Sequence, residues 1–303
     1  MAGTIRSMNS SPMNPSPRNP RGGYILDIGS NSVRGLSVRK TGGSFHFGQK
    51  TLLTTRLAAD IDANGALHPS RILATVQAIA YYANEAKEQA LPVYAYATSA
   101  IREASNREEI LSLIQKTTGV SVTLLTGEQE GRFAYLGATQ GAGTLIDIGG
   151  GSFQVVTDAF SQSYPIGCVR AKDRCPSESL PVLWDTLSPW LDSVCPLKTE
   201  LPSPVFGVGG TITTLGALML GQTRFDGSKL SDVTVTPDSL SALLKQLSEL
   251  ENRASHPLLT KRHDVILQGG TILLWLMRRL HIDVLHPSDR DGMEGYAYHV
   301  LSD

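Results

Sequence analysis

A short segment occurs twice in this chain. Tyr24–Val38 reads YILDIGSNSVRGLSV, and Leu145–Val156 reads LIDIGGGSFQVV. Each places an aspartate near the end of an apolar run, then a glycine turn with hydroxyl side chains, then a second apolar run. Two short runs rich in Ile, Leu and Val around a Gly-Ser turn predict a β-hairpin. Recurrence of the hairpin after about 120 residues predicts two similar halves, with a boundary close to Gly141–Gly143.

Around the hairpins the pattern alternates. Strands are expected over Phe45–Thr54, Pro92–Ala97, Val120–Leu125 and Val205–Val208. Helices are expected over His68–Ala90, where Ile72, Val76, Ile79 and Ala83 share one face, over Asn106–Thr117 with Asn106 as cap, and over Gly127–Ala138, Ser179–Cys195 and Thr211–Leu220. Strands alternating with helices indicate an α/β fold. At 303 residues, 41% apolar and 18% charged, the chain can build two cores of ordinary size. The net charge of −1 gives no global positive field for nucleic acid, so any polyanion site must be local. No apolar run reaches the roughly 18 residues of a membrane span. Three cysteines, an odd number with no zinc-like spacing, fit a reducing cytoplasm better than a disulfide framework. Residues 1–21, rich in Ser, Pro and Asn with no acid, are expected to form a disordered tail.

The repeated turn has a definite chemistry. A glycine turn can aim several backbone N–H groups at one point and hold a phosphate, and glycine allows the close approach. Ser30, Asn31, Ser32 and Ser152 add side-chain donors. Asp27 and Asp147 repel phosphate directly but can hold Mg²⁺ against it. A third element, VFGVGGTITTLGAL (Val205–Leu218), leads a strand through Gly209-Gly210 into a helix whose free N–H groups favour an anion.

With DIGSNSVR (Asp27–Arg34), ATSAIREASN (Ala97–Asn106), TGEQEGRFAYLGA (Thr126–Ala138), DIGGGS (Asp147–Ser152), PIGCVR (Pro165–Arg170), GVGGT (Gly207–Thr211) and RHDVILQGG (Arg262–Gly270) in this order, the sequence resembles the exopolyphosphatase/guanosine pentaphosphate phosphatase (Ppx/GppA) family, in its short two-domain form. The resemblance implies two actin-like (ribonuclease H-like) α/β domains, residues 22–141 and 142–303, with the C-terminal segment able to pack back on the first, and an interdomain phosphate-binding cleft. It implies Mg²⁺-dependent hydrolysis, with Mn²⁺ as a substitute, of the terminal phosphoanhydride of inorganic polyphosphate. Guanosine pentaphosphate (pppGpp) or the tetraphosphate is the rival ligand, and a weakened, binding-only regulator is the rival role. A cytoplasmic homodimer with no nucleic-acid or membrane partner completes the expectation.

Residue by residue, the resemblance makes Glu130 the general base. Phosphate contacts fall to Gly29, Ser30, Asn31, Ser32, Arg34, Arg102, Gly149, Gly150, Gly151, Ser152, Gly209, Gly210 and Thr211, and metal contacts to Asp27 and Asp147. Two positions depart from the family pattern. Gln154 stands where DIGGGS-x-E has an acid, and Met293 stands where G-L-R-E-G has an arginine, with Arg290 as a candidate substitute. Arg170, Lys172 and Arg174 are candidates for guiding a polyanion, whereas His263-Asp264 is read as structural because no companion ligands accompany it.

Overall fold

The first repeat forms the expected hairpin, with β1 (Gly22–Ile28) antiparallel to β2 (Ser32–Thr41) and Asp27 opposite Arg34. The structure is a computed structural model that describes residues 22–59, 63–196 and 200–302; the expected tail at 1–21 lies outside the described residues. β1 is buried along its whole length because both of its faces are covered. Tyr24, Leu26 and Ile28 pack in one apolar cluster with Ile72, Val76 and Ile79 of α1 (Pro69–Glu88). Ile25 packs in another with residues near the C-terminus. That split is the period-2 alternation of a strand.

The single strand expected over 45–54 is instead β3 (Ser44–Phe47) and β4 (Thr51–Thr54), both paired with β2. Residues 48–50 face only Leu36 and Ser37, so one extra residue makes a bulge. The bulge carries Lys50. β5 (Val93–Ala97) runs parallel to β1, and after α2 (Ser99–Glu103) and α3 (Arg107–Thr118), β6 (Val122–Leu124) runs parallel to β5. Asn106 does not cap α3 with its side chain. Its amide instead bridges both backbone groups of Leu67, 39 positions earlier, which outcompetes the local bond.

α4 (Gly127–Thr139) is closed at its start by a capping box of Thr126 and Gln129. The second repeat then forms β7 (Thr144–Ile148) and β8 (Phe153–Val156), with Asp147 opposite Gln154, and β9 (Ser161–Tyr164) extends it. α5 (Cys168–Arg174) and α6 (Leu180–Val194) lead to β10 (Val205–Val208), parallel to β7. α7 (Gly209–Met219) begins at the first glycine, two residues before the expected start. α8 (Pro237–Glu249), α9 (Ile266–Arg279), β11 (Leu285–Pro287) and α10 (Gly292–Leu301) complete the chain.

The two sheets repeat one topology. β3-β2-β1-β5-β6 and β9-β8-β7-β10-β11 each join an antiparallel meander to two parallel strands. The repeat visible in the hairpins therefore extends to five strands of each sheet, with β4 an addition to the first. The last helix crosses back to the first sheet, where Met293, Tyr296, Ala297 and Leu301 pack with Ile25, Leu36 and Tyr96. No helix among the described residues is long and apolar enough to cross a membrane.

Candidate active site

Both aspartates stand near the C-terminal ends of central strands, where α/β sheets hold their ligands. A cleft of about 380 Å³ opens there between the sheets, lined by Asp27, Arg34, Glu130, Asp147, Gln154 and Asp291 with an apolar floor that includes Tyr96, Leu125 and Val208. A larger hollow of about 650 Å³ lies at the opposite ends of β10 and β11 and contains none of the turn residues.

The glycine turns flank the cleft without lining it. In each, the first glycine N–H bonds across the turn, Gly29 to the Ser32 carbonyl at 3.0 Å and Gly149 to the Ser152 carbonyl at 2.9 Å. The carbonyls behind the turns are occupied: Asn31 accepts from Thr55 and Arg56, and Gly150 accepts from Val169. The N–H groups of Ser30, Asn31, Gly150 and Gly151 meet no acceptor among the described residues. Such groups suit a phosphate oxygen.

Gly209 has a φ of +87°, and a Cβ there would lie 2.4 Å from Asp147 Oδ1, so glycine is required on both counts. At Gly210 a Cβ would lie 1.9 Å from Arg262 Nη2. The Arg262 guanidinium thus rests on the first turn of α7, where no side chain caps the free N–H groups, and it has no ion-pair partner among the described residues. A cation against a positive helix end is unfavourable unless an anion joins them. The adjacent His263 and Asp264 are engaged within the protein, Asp264 with Lys172 at 2.5 Å and His263 with the Thr260 carbonyl. Arg262 thus lies at the start of α7, a placement that only the approach of the segment preceding α9 to α7 discloses.

Arg102 reaches Glu130 rather than open solvent. Its Nη1 donates to Glu130 Oε1 and to the Leu125 carbonyl, both at 2.6 Å. The bond to Glu130 is the main reason its pKa is raised. Arg34 donates through Nε to Asp27 Oδ2 at 2.9 Å and through Nη1 to Asp291 Oδ2 at 2.6 Å, with Nη2 also on Asp27. Both arginines are thus held on carboxylates within reach of the cleft. Gln154 lines the cleft wall, its Oε1 3.9 Å from where a Cβ on Gly131 would be, which sets it beside the helix that carries Glu130.

Met293 does not face the cleft. It is fully buried against the first sheet, while Asp291 and Gly292 form the cleft wall. Arg290 does not replace an arginine there either, since its guanidinium sits 5.7 Å over the Phe47 ring. Of the small basic run, Lys172 pairs with Asp264 and Arg174 stacks on Trp190 at 4.9 Å, which leaves Arg170 beside the Gly151 turn.

The two aspartates fit a hard divalent cation. Asp27 Oδ1 is buried with no hydrogen-bond partner, and the Asp147 carboxylate meets no donor among the described residues. No three His, Cys, Asp or Glu side chains converge to hold a metal among the described residues. Mg²⁺ bound by one or two carboxylates, water and substrate phosphate needs no third. Burial raises Asp27, against the pull of Arg34. Burial, and then the charge of Asp291, raises Asp147 to about 6.

That shift fixes a sign. A folded-state pKa above the unfolded value of roughly 4 means the stability it contributes is full below that value and is lost as pH rises to about 6. Asp147→Asn is therefore expected to raise Tm in EDTA above pH 6, with the gain shrinking toward pH 4, and to abolish stabilisation by Mg²⁺. Thermal melts across pH check this; a lower Tm for the variant at pH 8 would contradict it.

Residues 37–303 match the family model of the Ppx/GppA phosphatase family. Over 90% of its length the chain is 29% identical to exopolyphosphatase 2 of Mycobacterium tuberculosis, and it covers 96% of that protein. It is 27% identical to the guanosine-5'-triphosphate,3'-diphosphate pyrophosphatase of Vibrio atlanticus, covering 59% of that longer protein. Among solved structures, the Ppx/GppA family member of Aquifex aeolicus aligns over 92% of this chain and 97% of its own, with 28% identity and a TM-score of 0.81. The shared architecture is a pair of actin-like domains.

Proposed function

We propose that this chain, which belongs to the Ppx/GppA phosphatase family, hydrolyses the terminal phosphoanhydride of inorganic polyphosphate in the cleft between its sheets, with guanosine pentaphosphate as the alternative substrate. One observation carries the reading: Glu130 shares one cleft with Asp27 and Asp147, and no donor among the described residues occupies Asp27 Oδ1. Glu130 Oε1 is positioned by Arg102, and the carboxylate can accept a proton from a water directed at the terminal phosphorus. The turn N–H groups, the start of α7 and Arg262 bind and orient the phosphoryl oxygens, so that positioning and charge complementarity supply the rate. Mg²⁺, or Mn²⁺, held on Asp27 and Asp147 would neutralise charge on those oxygens.

The binding-only role remains the second reading because Gln154 occupies the cleft wall without a charge. Phosphate release with Mg²⁺ from long polyphosphate and from pppGpp, assayed in parallel, separates the two. Sustained release, faster from polyphosphate, is expected. Tight binding of either polyanion without release would make the cleft a sensor.

A further inference from the structure

We infer that Asp291 sets the charge of the cleft: it supplies the negative charge that Gln154 lacks, so that the site takes its polyanion together with a divalent cation and not bare. The inference rests on the phosphate-cleft reading above. Asp291 lines the same cleft as Asp27, Asp147 and Gln154. It is held rigidly as the cap of α10, with Oδ1 accepting from Met293 N–H at 2.9 Å and Glu294 accepting from the Asp291 N–H at 2.8 Å. Its carbonyl oxygen leaves no room for a Cβ on Gly137 of α4, which fixes it against the helix that bears Glu130.

The second Asp291 oxygen accepts from Arg34 Nη1 at 2.6 Å and lies 3.4 Å from Lys50 Nζ, while Lys50 also pairs with Glu294 at 2.9 Å. Both oxygens are engaged, so Asp291 acts as a positioning residue through its field and through Arg34, and not as a metal ligand. In this network Asp27, Asp291 and Glu294 share Arg34 and Lys50, while the charged neighbour of Asp147 is Asp291. Carboxylates outnumber cations in this part of the cleft, an excess that a divalent cation relieves and a bare phosphate chain aggravates. An independent observation points to the same ligand: Asp27, 6% exposed, keeps Oδ1 buried and unpartnered in that wall.

The test is Asp291→Asn, because asparagine caps a helix as well as aspartate does; Asp291→Ser keeps a capping oxygen should Asn disturb the fold, and Asp289→Asn, exposed and outside the cleft, controls for net charge. Calorimetric titration with Mn²⁺ alone is expected to show affinity lowered about tenfold in Asp291→Asn and unchanged in Asp289→Asn. Titration with polyphosphate in EDTA is expected to show about tenfold tighter binding to Asp291→Asn than to wild type. Wild-type values for the variant in both titrations would overturn the inference, as would a wild type with no Mn²⁺ affinity. If polyphosphate and pppGpp bind neither protein even with Mn²⁺, the phosphate reading fails, and the Mn²⁺ titration still decides the role of Asp291.

Discussion

Glu130→Gln is expected to lower phosphate release by about 10²–10⁴-fold, the usual contribution of a positioned base, with little change in polyphosphate affinity. Gln keeps the size of the side chain and an oxygen for the Arg102 Nη1 bond, so the loss falls on proton acceptance. Glu130 sits in the first turn of a helix with a complete capping box, and its side chain is not part of the core. The variant should therefore melt as the wild type does. Steady-state kinetics and equilibrium binding on the same preparation check the split. A proportional loss of binding and rate would instead assign Glu130 to substrate positioning.

Gly295→Ala is expected to lower stability strongly for so small a change. A Cβ at Gly295 would lie 1.8 Å from the Phe133 carbonyl oxygen and 2.6 Å from its carbon. A backbone carbonyl cannot rotate aside as a side chain can, so α10 must move off α4. Overpacking of this kind costs about 3 kcal/mol, a fall in Tm of roughly 5–10 °C. The effect reaches the cleft because α10 opens with Asp291, which holds Arg34, and Glu294, which holds Lys50. Loss of Mg²⁺ stabilisation should therefore accompany the lower Tm. An unchanged Tm would show that the two helices are not closely packed.

The framework of the site was legible because local pattern wrote it. An aspartate near the end of an apolar strand and a glycine turn after it need only a few residues of context, and both copies placed their acids in one cleft. Glu130 came from the family resemblance alone, since an acid on the exposed start of a helix carries no local sign of a role. What sequence hid depends on distant approach. Arg262 carries no local sign of its place against Gly210 of α7, which leaves room for its guanidinium. Asp291 lay inside a motif whose apparent lesion was Met293, yet α10 turns Met293 into the core and Asp291 into the cleft. Lys50 depends on a bulge, which no hydrophobic period announces. Asn106 had the right type for a cap and was drawn away by Leu67.

The most direct test of the hydrolytic cleft is phosphate release from polyphosphate in ¹⁸O-labelled water with Mg²⁺, comparing wild type with Glu130→Gln. The account predicts a solvent oxygen in each phosphate released by the wild type and release nearly abolished in the variant. Absence of release from the wild type, or equal labelled release from both proteins, would contradict it.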